Sequence, residues 1–363
     1  MSTFKVTVEK LSKVYIHPNA EKLELAQVEG MSFQFCVRKD EYKANDLVVY
    51  CPVDSLLPQT LIEFLGIGNM LSGKDKNRVK TIKLRGSISQ GFVVKITTIA
   101  EYLNKMMIVA PEGVSIVGTD LTTVLGVTKY EPPEVPCHAG RLVPLPAGIS
   151  HYDIEGCQRY PAVVEELMNQ SVCISEKVEG SNFWASLLPA SLLPDDTFIV
   201  GQRNFEIKPI DGHTHSFWKV AEELCLHEKL IKIKEQRRDY KHITLRGEAI
   251  GSGLNGNLYK LNKVTFLAFD LLVDGRYVAP MDFLDICGDH KIETVPQLAS
   301  GWILKEWLEG KTIIEASHGK SALADTLREG IVIKPETEQY SEILGGRLFL
   351  KQRDPIYLDK TGN

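Results

Sequence analysis

Nothing in the sequence pairs two cysteines at Cys-x-x-Cys spacing. The seven present, Cys36, Cys51, Cys137, Cys157, Cys173, Cys225 and Cys287, are odd in number and widely scattered. Neither a thiolate zinc site nor a disulfide framework is expected, and the thiols read as reduced and mostly buried. His213-x-His215 has no Cys or His partner nearby and reads as a pair of loop histidines. Long apolar runs are also missing. The longest, around Phe183 to Pro194, is interrupted and too short to cross a bilayer, and Met1 to Val6 has no basic-then-apolar leader pattern. The expectation is an intracellular, soluble protein with no membrane contact, its compartment open and no obligate protein partner evident. Repeats and low-complexity tracts are absent. A positive excess is absent too: the net charge is -5. That argues against coating nucleic acid through bulk charge, but leaves room for a local basic face.

What is there is a soluble, globular composition, 44% hydrophobic and 25% charged, over 363 residues. That is enough chain for two domains with separate cores. From Phe4 to about Ile96 short alternating strands are expected at Phe4 to Leu11, Leu23 to Val28, Phe33 to Arg38, Asp46 to Val53, Val79 to Leu84 and Gly91 to Val94. One helix, Gln59 to Leu65, interrupts them. Strands at this spacing suggest a small β-barrel over residues 1–128. Pro132, Pro133, Pro136, Pro144 and Pro146 disfavour both helix and sheet interior, so 129–150 reads as a semi-rigid connector.

The remaining part, 151–363, alternates strands and helices in an α+β pattern with largely antiparallel sheets. Strands are expected at Ser171 to Glu176, Phe198 to Arg203, Ile243 to Ala249, Val264 to Val273, Gly330 to Lys334 and Arg347 to Arg353. Helices are expected at Tyr160 to Gln170, Trp218 to Tyr240, Met281 to Cys287, Gly301 to Glu309 and Ser321 to Leu327.

Chemistry concentrates at Glu176-Lys177-Val178-Glu179-Gly180-Ser181-Asn182. Lys177 ends a strand and Gly180 comes three residues later, which offers the amine at a corner where backbone can approach a ligand closely. An amine of ordinary pKa, about 10.4, attacks only after losing a proton with help from a nearby cation or metal. Lys-x-x-Gly alone is a common pattern, and the order of the motifs downstream of it carries more weight. Arg203 stands in Gly201-Gln202-Arg203-Asn204, Glu248 in Gly247-Glu248-Ala249-Ile250-Gly251, and Phe269-Asp270 closes an apolar strand. Glu329-Gly330-Ile331-Val332-Ile333-Lys334 and Leu350-Lys351-Gln352-Arg353 come last.

This ordered series, from about Ser171 to Arg353, resembles the covalent nucleotidyltransferases, in particular the RNA ligases. The phrases from His17 to Leu25 and from Lys83 to Gly91 resemble turns of the oligonucleotide-binding (OB) barrel of tRNA-binding modules. Lys39, Lys43, Lys74, Lys76, Arg78, Lys80, Lys83 and Arg85 could give such a barrel its charge. The resemblance implies a C-terminal adenylation domain preceded by an OB-like barrel.

It further implies that Lys177 takes AMP from ATP as a phosphoramidate, passes it to a 5′-phosphate, and that a 3′-hydroxyl then closes the strand of a nicked duplex with an RNA 3′-OH. Lys334, Lys351 and Arg353 would meet phosphoryl charge, with Arg203 and Asn182 facing the phosphate. Glu248 would accept from a ribose hydroxyl, Phe269 would stack on adenine, Asp270 would brace the fold, and Glu176 and Glu329 complete the nucleotide set. Glu179, Glu329 and Glu248 are the candidates for Mg2+ or Mn2+, Glu179 because period two in a strand puts it beside Lys177. DNA ligases and capping enzymes usually carry their barrel after the catalytic domain, whereas here it comes first. No residue stands out for orienting pyrophosphate, Arg159 and Arg347 being the two considered. Two alternatives stay open: a capping-type guanylyltransferase, and a non-catalytic RNA-binding protein on a ligase scaffold.

Overall fold

The computed structural model describes residues 4–111, 113–130, 141–189, 196–210 and 215–361. Of the expected connector, 131–140 lie outside the described residues, as do Cys137 and His213. The described chain forms two compact units. One takes in residues up to 130 with Gln158–Ala162 and the chain from Leu358; the other takes in 141–157 and Val163–Tyr357.

In the first unit, alternation of apolar and polar residues yields five antiparallel strands in the order Gln34–Arg38, Leu23–Val28, Thr7–Ile16, Leu47–Cys51, Phe92–Lys95. The long Thr7–Ile16 strand serves two neighbours, pairing Leu47–Cys51 through its first half and Leu23–Val28 through its second. A register shift between Leu11 and Lys13 marks the change. Such a bulge bends and twists a strand, which is how a short sheet curls into a barrel. The edges meet where Gln90 N–H donates to Gln34 O at 2.9 Å and Cys36 N–H to Ser89 Oγ at 3.0 Å. Leu11, Ala26, Val28, Phe35, Val48 and Tyr50 fill the interior. Helix Gln59–Leu65 stands as expected; helix Ile96–Lys105, which packs Ile99 and Leu103 on the outer core, was not foreseen.

The two barrel phrases meet. His17 Nε2 donates to Leu84 O at 3.0 Å while Nδ1 accepts from Asn19 N–H at 3.1 Å. The strands Ile82–Leu84 and Ser87–Ser89 join through Arg85 and Gly86, at φ 48° and 92°. Positive φ at both loop residues is what a tight two-residue hairpin demands. Of the basic cluster, Arg78 is committed to Asp54 at 2.6 Å and stacks on Tyr130 at 3.5 Å, and Lys83 pairs with Asp359 at 2.9 Å. Lys39, Lys43, Lys74, Lys76 and Arg85 are exposed.

The second unit holds two sheets. A seven-stranded one runs Arg141–Pro144, Phe205–Lys208, Thr197–Gln202, Ser181–Leu188, Ile243–Ile250, Thr265–Val273, Arg276–Tyr277. A five-stranded one runs Glu155–Gly156, Leu350–Arg353, Gly330–Pro335, Ser171–Lys177, Gln297–Ile303. All pairs are antiparallel except the short one between Glu155–Gly156 and Leu350–Lys351. Helices Ser216–Glu223, Leu226–Gln236 and Pro280–Asp289 cover the larger sheet around Phe183, Leu230, Phe266 and Phe283.

Three expected helices need correction, and the strand expected from Arg347 to Arg353 is two, Gly346–Arg347 and Leu350–Arg353, with different partners. The helix expected from Trp218 to Tyr240 is two helices, broken at Cys225, whose φ of 52° no helix accommodates. Gly301 to Glu309 is a strand end followed by a short helix, Leu304–Leu308, because pairing with Ser171–Lys177 outweighs local preference. Ser321 to Leu327 is not helical; the turn of helix lies earlier, at Ile313–Ser317, where Thr312 and Glu315 form a capping box. No helix among the described residues is long and apolar enough to cross a membrane.

Candidate active site

Strand register brings together residues far apart in the chain. Gly330–Pro335 lies between Ser171–Lys177 and Leu350–Arg353, with Lys177, Gly330 and Arg353 in one row and Val332 opposite Lys351. Glu329, immediately before this row, therefore sits between the two cationic strand ends. Lys177 Nζ donates to Glu329 Oε2 at 2.7 Å, and Arg353 Nε lies 3.0 Å from Glu329 Oε1. Burial works against the Glu329 carboxylate, yet the charges of Lys177 and Arg353 hold its pKa below the ordinary value.

Past Lys177 the chain leaves the smaller sheet and enters the larger at Ser181. The crossing needs Gly180: a Cβ there would lie 2.5 Å from Ala249 O and 2.7 Å from Glu248 Cγ. Because the strand stops at Lys177, the period-two argument for Glu179 does not hold; a turn, not a strand, positions that carboxylate. Across the larger sheet Asn182 faces Glu248. The next register jumps from Arg246–Asp270 to Gly247–Ala268, so Phe269 is the extra residue of a β-bulge, a device that re-aims a side chain.

Between the sheets lies a cavity of about 200 Å³ lined by Glu176, Lys177, Asn182, Arg203, Glu248, Phe269, Lys334 and Lys351, together with Tyr152, Asp153, Ile154, Ser175, Val178, Val295 and Val332. Glu176 Oε1 and Asn182 Oδ1 are buried there without a hydrogen-bond partner among the described residues. An unsatisfied buried acceptor is costly, so both oxygens suit a ligand that brings N–H or O–H donors. Glu176 Oε2 is used, accepting from Ala322 N–H at 2.9 Å.

Burial in this cleft, reinforced by the carboxylates of Glu329 and Glu179 and only partly offset by Lys177, pushes Glu248 up to about 8. Burial, reinforced by the positive charges of Lys177 and Arg353, brings Lys351 down to about 8. Burial and then Glu329 also raise Glu179. Like charges are thus crowded and mutually destabilised, the condition in which a charged ligand gains most on entry.

Glu179, Glu329 and Arg353 stand beside the cavity rather than among its lining residues. Arg203 lines it with its guanidinium paired to Asp153. Lys334 is also occupied: Nζ lies 2.8 Å from Asp270 Oδ1 and donates to Phe269 O at 2.6 Å. Arg347 is no free phosphate clamp. It holds both oxygens of Asp270, at 2.8 and 2.9 Å, and reaches Glu338 at 2.5 Å, stacked on Tyr277 and Phe349. Arg159 belongs to the other unit. Tyr152, unforeseen, packs on Phe269 with ring centroids 4.9 Å apart and donates its hydroxyl to Asp270. Its position just after the proline-rich stretch carries no signal that sequence alone could use. Among the described residues no cluster of three His, Cys, Asp or Glu side chains forms a ready metal cage.

A family model described as RNA ligase matches residues 170–351, and one described as an OB-fold domain matches residues 5–96. Among solved structures, the chain is similar to an RNA ligase of Naegleria gruberi with PPi, at 24% identity and TM-score 0.79, covering 99% of each chain. A mutant of that ligase with ATP and Mn matches at 25% identity and TM-score 0.78, again over 99% of each chain. Another mutant, with AMP and Mn, matches at 24% identity and TM-score 0.77 over 98% of each. No curated protein matches.

Proposed function

From the premise that this chain belongs to the RNA ligase family, with an N-terminal OB-fold domain and nucleic acid as its partner, we propose that it is an ATP-dependent ligase that seals a 3′-hydroxyl to a 5′-phosphate through a lysyl-AMP intermediate. The observation that carries this reading is the placement of Lys177. Lys177 lines a cavity that also holds Lys351, Arg203 and an aromatic ring at Phe269, and its amine rests 2.7 Å from Glu329, a carboxylate that orients it.

Lys177 Nζ, its proton released to solvent with help from the neighbouring Lys351 cation, forms a P–N bond to the α-phosphorus of ATP as the bond to pyrophosphate breaks. Lys351 and Arg203 meet the charge on the phosphoryl oxygens, since positioning and neutralisation are most of what such a transfer needs. Phe269, held by Tyr152, offers adenine a flat face, and the partnerless oxygens of Glu176 and Asn182 accept from donors of the nucleoside. A 5′-phosphate oxygen next displaces Lys177 from AMP. Finally the 3′-hydroxyl attacks the 5′-phosphorus and AMP departs.

A divalent ion fits these residues. Magnesium and manganese bind through one or two carboxylates, retained waters and phosphate oxygens rather than through an all-protein cage, and Glu179, Glu329 and Glu248 are the carboxylates that would hold it. When bound it supplies charge neutralisation at the phosphate. The substrate proposed is a nicked duplex whose broken strand ends in an RNA 3′-OH, with the exposed Lys74, Lys76 and Arg85 of the OB unit contributing cations.

Incubation with α-labelled ATP tests the reading: the protein acquires a covalent label, Lys177→Ala does not, and α-labelled GTP gives none. Label from GTP would turn the assignment to a guanylyltransferase, and no label from either would end it. Sealing of a nick ending in ribose but not in deoxyribose checks the proposed substrate.

A further inference from the structure

Beyond Arg353 the chain forms a short helix, Pro355–Thr361, whose start is tightly tied down. Asp354 is fully buried. Its N–H donates to Glu329 O at 2.8 Å, while Oδ1 accepts from Ile356 N–H at 2.7 Å and lies 2.7 Å from His318 Nδ1. These ties orient the first turn of the helix from the same residue that pairs with Lys177. They deliver Tyr357, only 3% exposed, to the lysine motif, where its hydroxyl donates to Glu179 Oε2 at 3.0 Å.

The turn after Lys177 has two other anchors. Glu179 N–H donates to Tyr259 Oη at 2.8 Å, and Asn255 Nδ2 donates to Gly180 O. Tyr259 and Asn255 come after the Gly-Glu-x-x-Gly segment and fix the backbone of the turn. Tyr357 is different, because it holds the carboxylate closely, 3.0 Å from Oε2, where Asn255 Nδ2 comes only within 3.5 Å of Oε1. A glutamate on a turn has several rotamers open to it, and a buried hydroxyl donor selects one.

We propose that Tyr357 is a positioning residue for Glu179, so that the C-terminal helix completes the active site. The inference rests on reading Lys177 as the carrier of AMP. Its chemistry is local: Tyr357 is not among the residues that line the cavity, and it acts through the orientation of the Glu179 carboxylate.

The test uses the full-length protein and Tyr357→Phe, which keeps the ring and its packing and removes the hydroxyl alone. Single-turnover labelling by α-labelled ATP should slow about tenfold at saturating ATP, within the range of coupling between touching groups. The ATP concentration for half-maximal rate should stay within about twofold. In a Glu179→Ala background the same change should cost nothing further. Hydrogen exchange across residues 178–181 of the ATP-free protein should quicken in Tyr357→Phe. A loss that multiplies in the Glu179→Ala background, an effect confined to half-saturation, or unchanged exchange would each overturn the assignment. Failure of the unmutated protein to label would instead strike the ligase reading, and the exchange measurement, which needs no nucleotide, would still decide the Tyr357 contact.

Discussion

Two clusters of buried charge lie within the ligase unit, and they are built to opposite ends. Around Asp270 every charge has a fixed opposite: Arg347 grips it with two nitrogens, Lys334 and Tyr152 add further bonds, and Glu338 closes the far side of Arg347. Burial opposes the Asp270 carboxylate, yet Arg347 and Lys334 carry its pKa well below the ordinary value. Burial likewise opposes the Arg347 guanidinium, and Asp270 more than compensates.

Around Lys177 the balance is left incomplete. Burial pushes Glu248 up to about 8 and draws Lys351 down to about 8, and two buried acceptors have no partner among the described residues. The first cluster uses its electrostatics to hold the floor under Phe269. The second leaves its own uncompensated, as the proposed binding of ATP with a divalent ion requires. A shifted pKa in a cleft points to function only when the neighbours fail to satisfy the group.

That contrast can be broken by substitution. The largest effect on chemistry is expected from Lys177→Ala, which should abolish covalent labelling while the melting temperature moves little, because Glu329 keeps Arg353. The reverse is expected at the saturated cluster: Arg347→Met should cost about 3–5 kcal/mol of stability, as removal of one partner from a buried pair does, measured by chemical denaturation.

Glu248→Gln should separate the clusters by pH. Its acid form is bound more tightly in the folded protein than in the unfolded chain, so its contribution to stability declines as pH rises from about 4.5 towards 8 and levels off beyond. The variant should therefore gain on the unmutated protein across that window, most at about pH 9, in parallel thermal melts. Equal melts at all pH values would mean that Glu248 is not strained. The smallest effect is expected in the OB unit, where Lys83→Gln removes a half-exposed pair with Asp359 and should change stability by less than about 1 kcal/mol.

The sequence by itself determined the existence and order of the chemistry. Apolar runs marked out most strands, alternating where one face is buried, as at Gln34–Arg38, and near-continuous where both are, as at Gly330–Pro335. Lys177, Glu248, Phe269, Glu329 and Lys351 could be picked out because each occurs in a short local pattern. Period two failed two residues beyond the strand, at Glu179, since it holds only while the strand continues.

What tertiary structure alone decided is who meets whom. Lys177, Gly330 and Arg353 share a row, with Glu329 next to it, because Gly330–Pro335 lies between two strands that are distant in sequence. Tyr152 finds Asp270, Arg347 finds Glu338 and Tyr357 finds Glu179 by the same route. A tyrosine near a chain end carries no periodicity and no motif. Its partner is chosen by strand register and helix entry angle, quantities that emerge only once the whole sheet is paired.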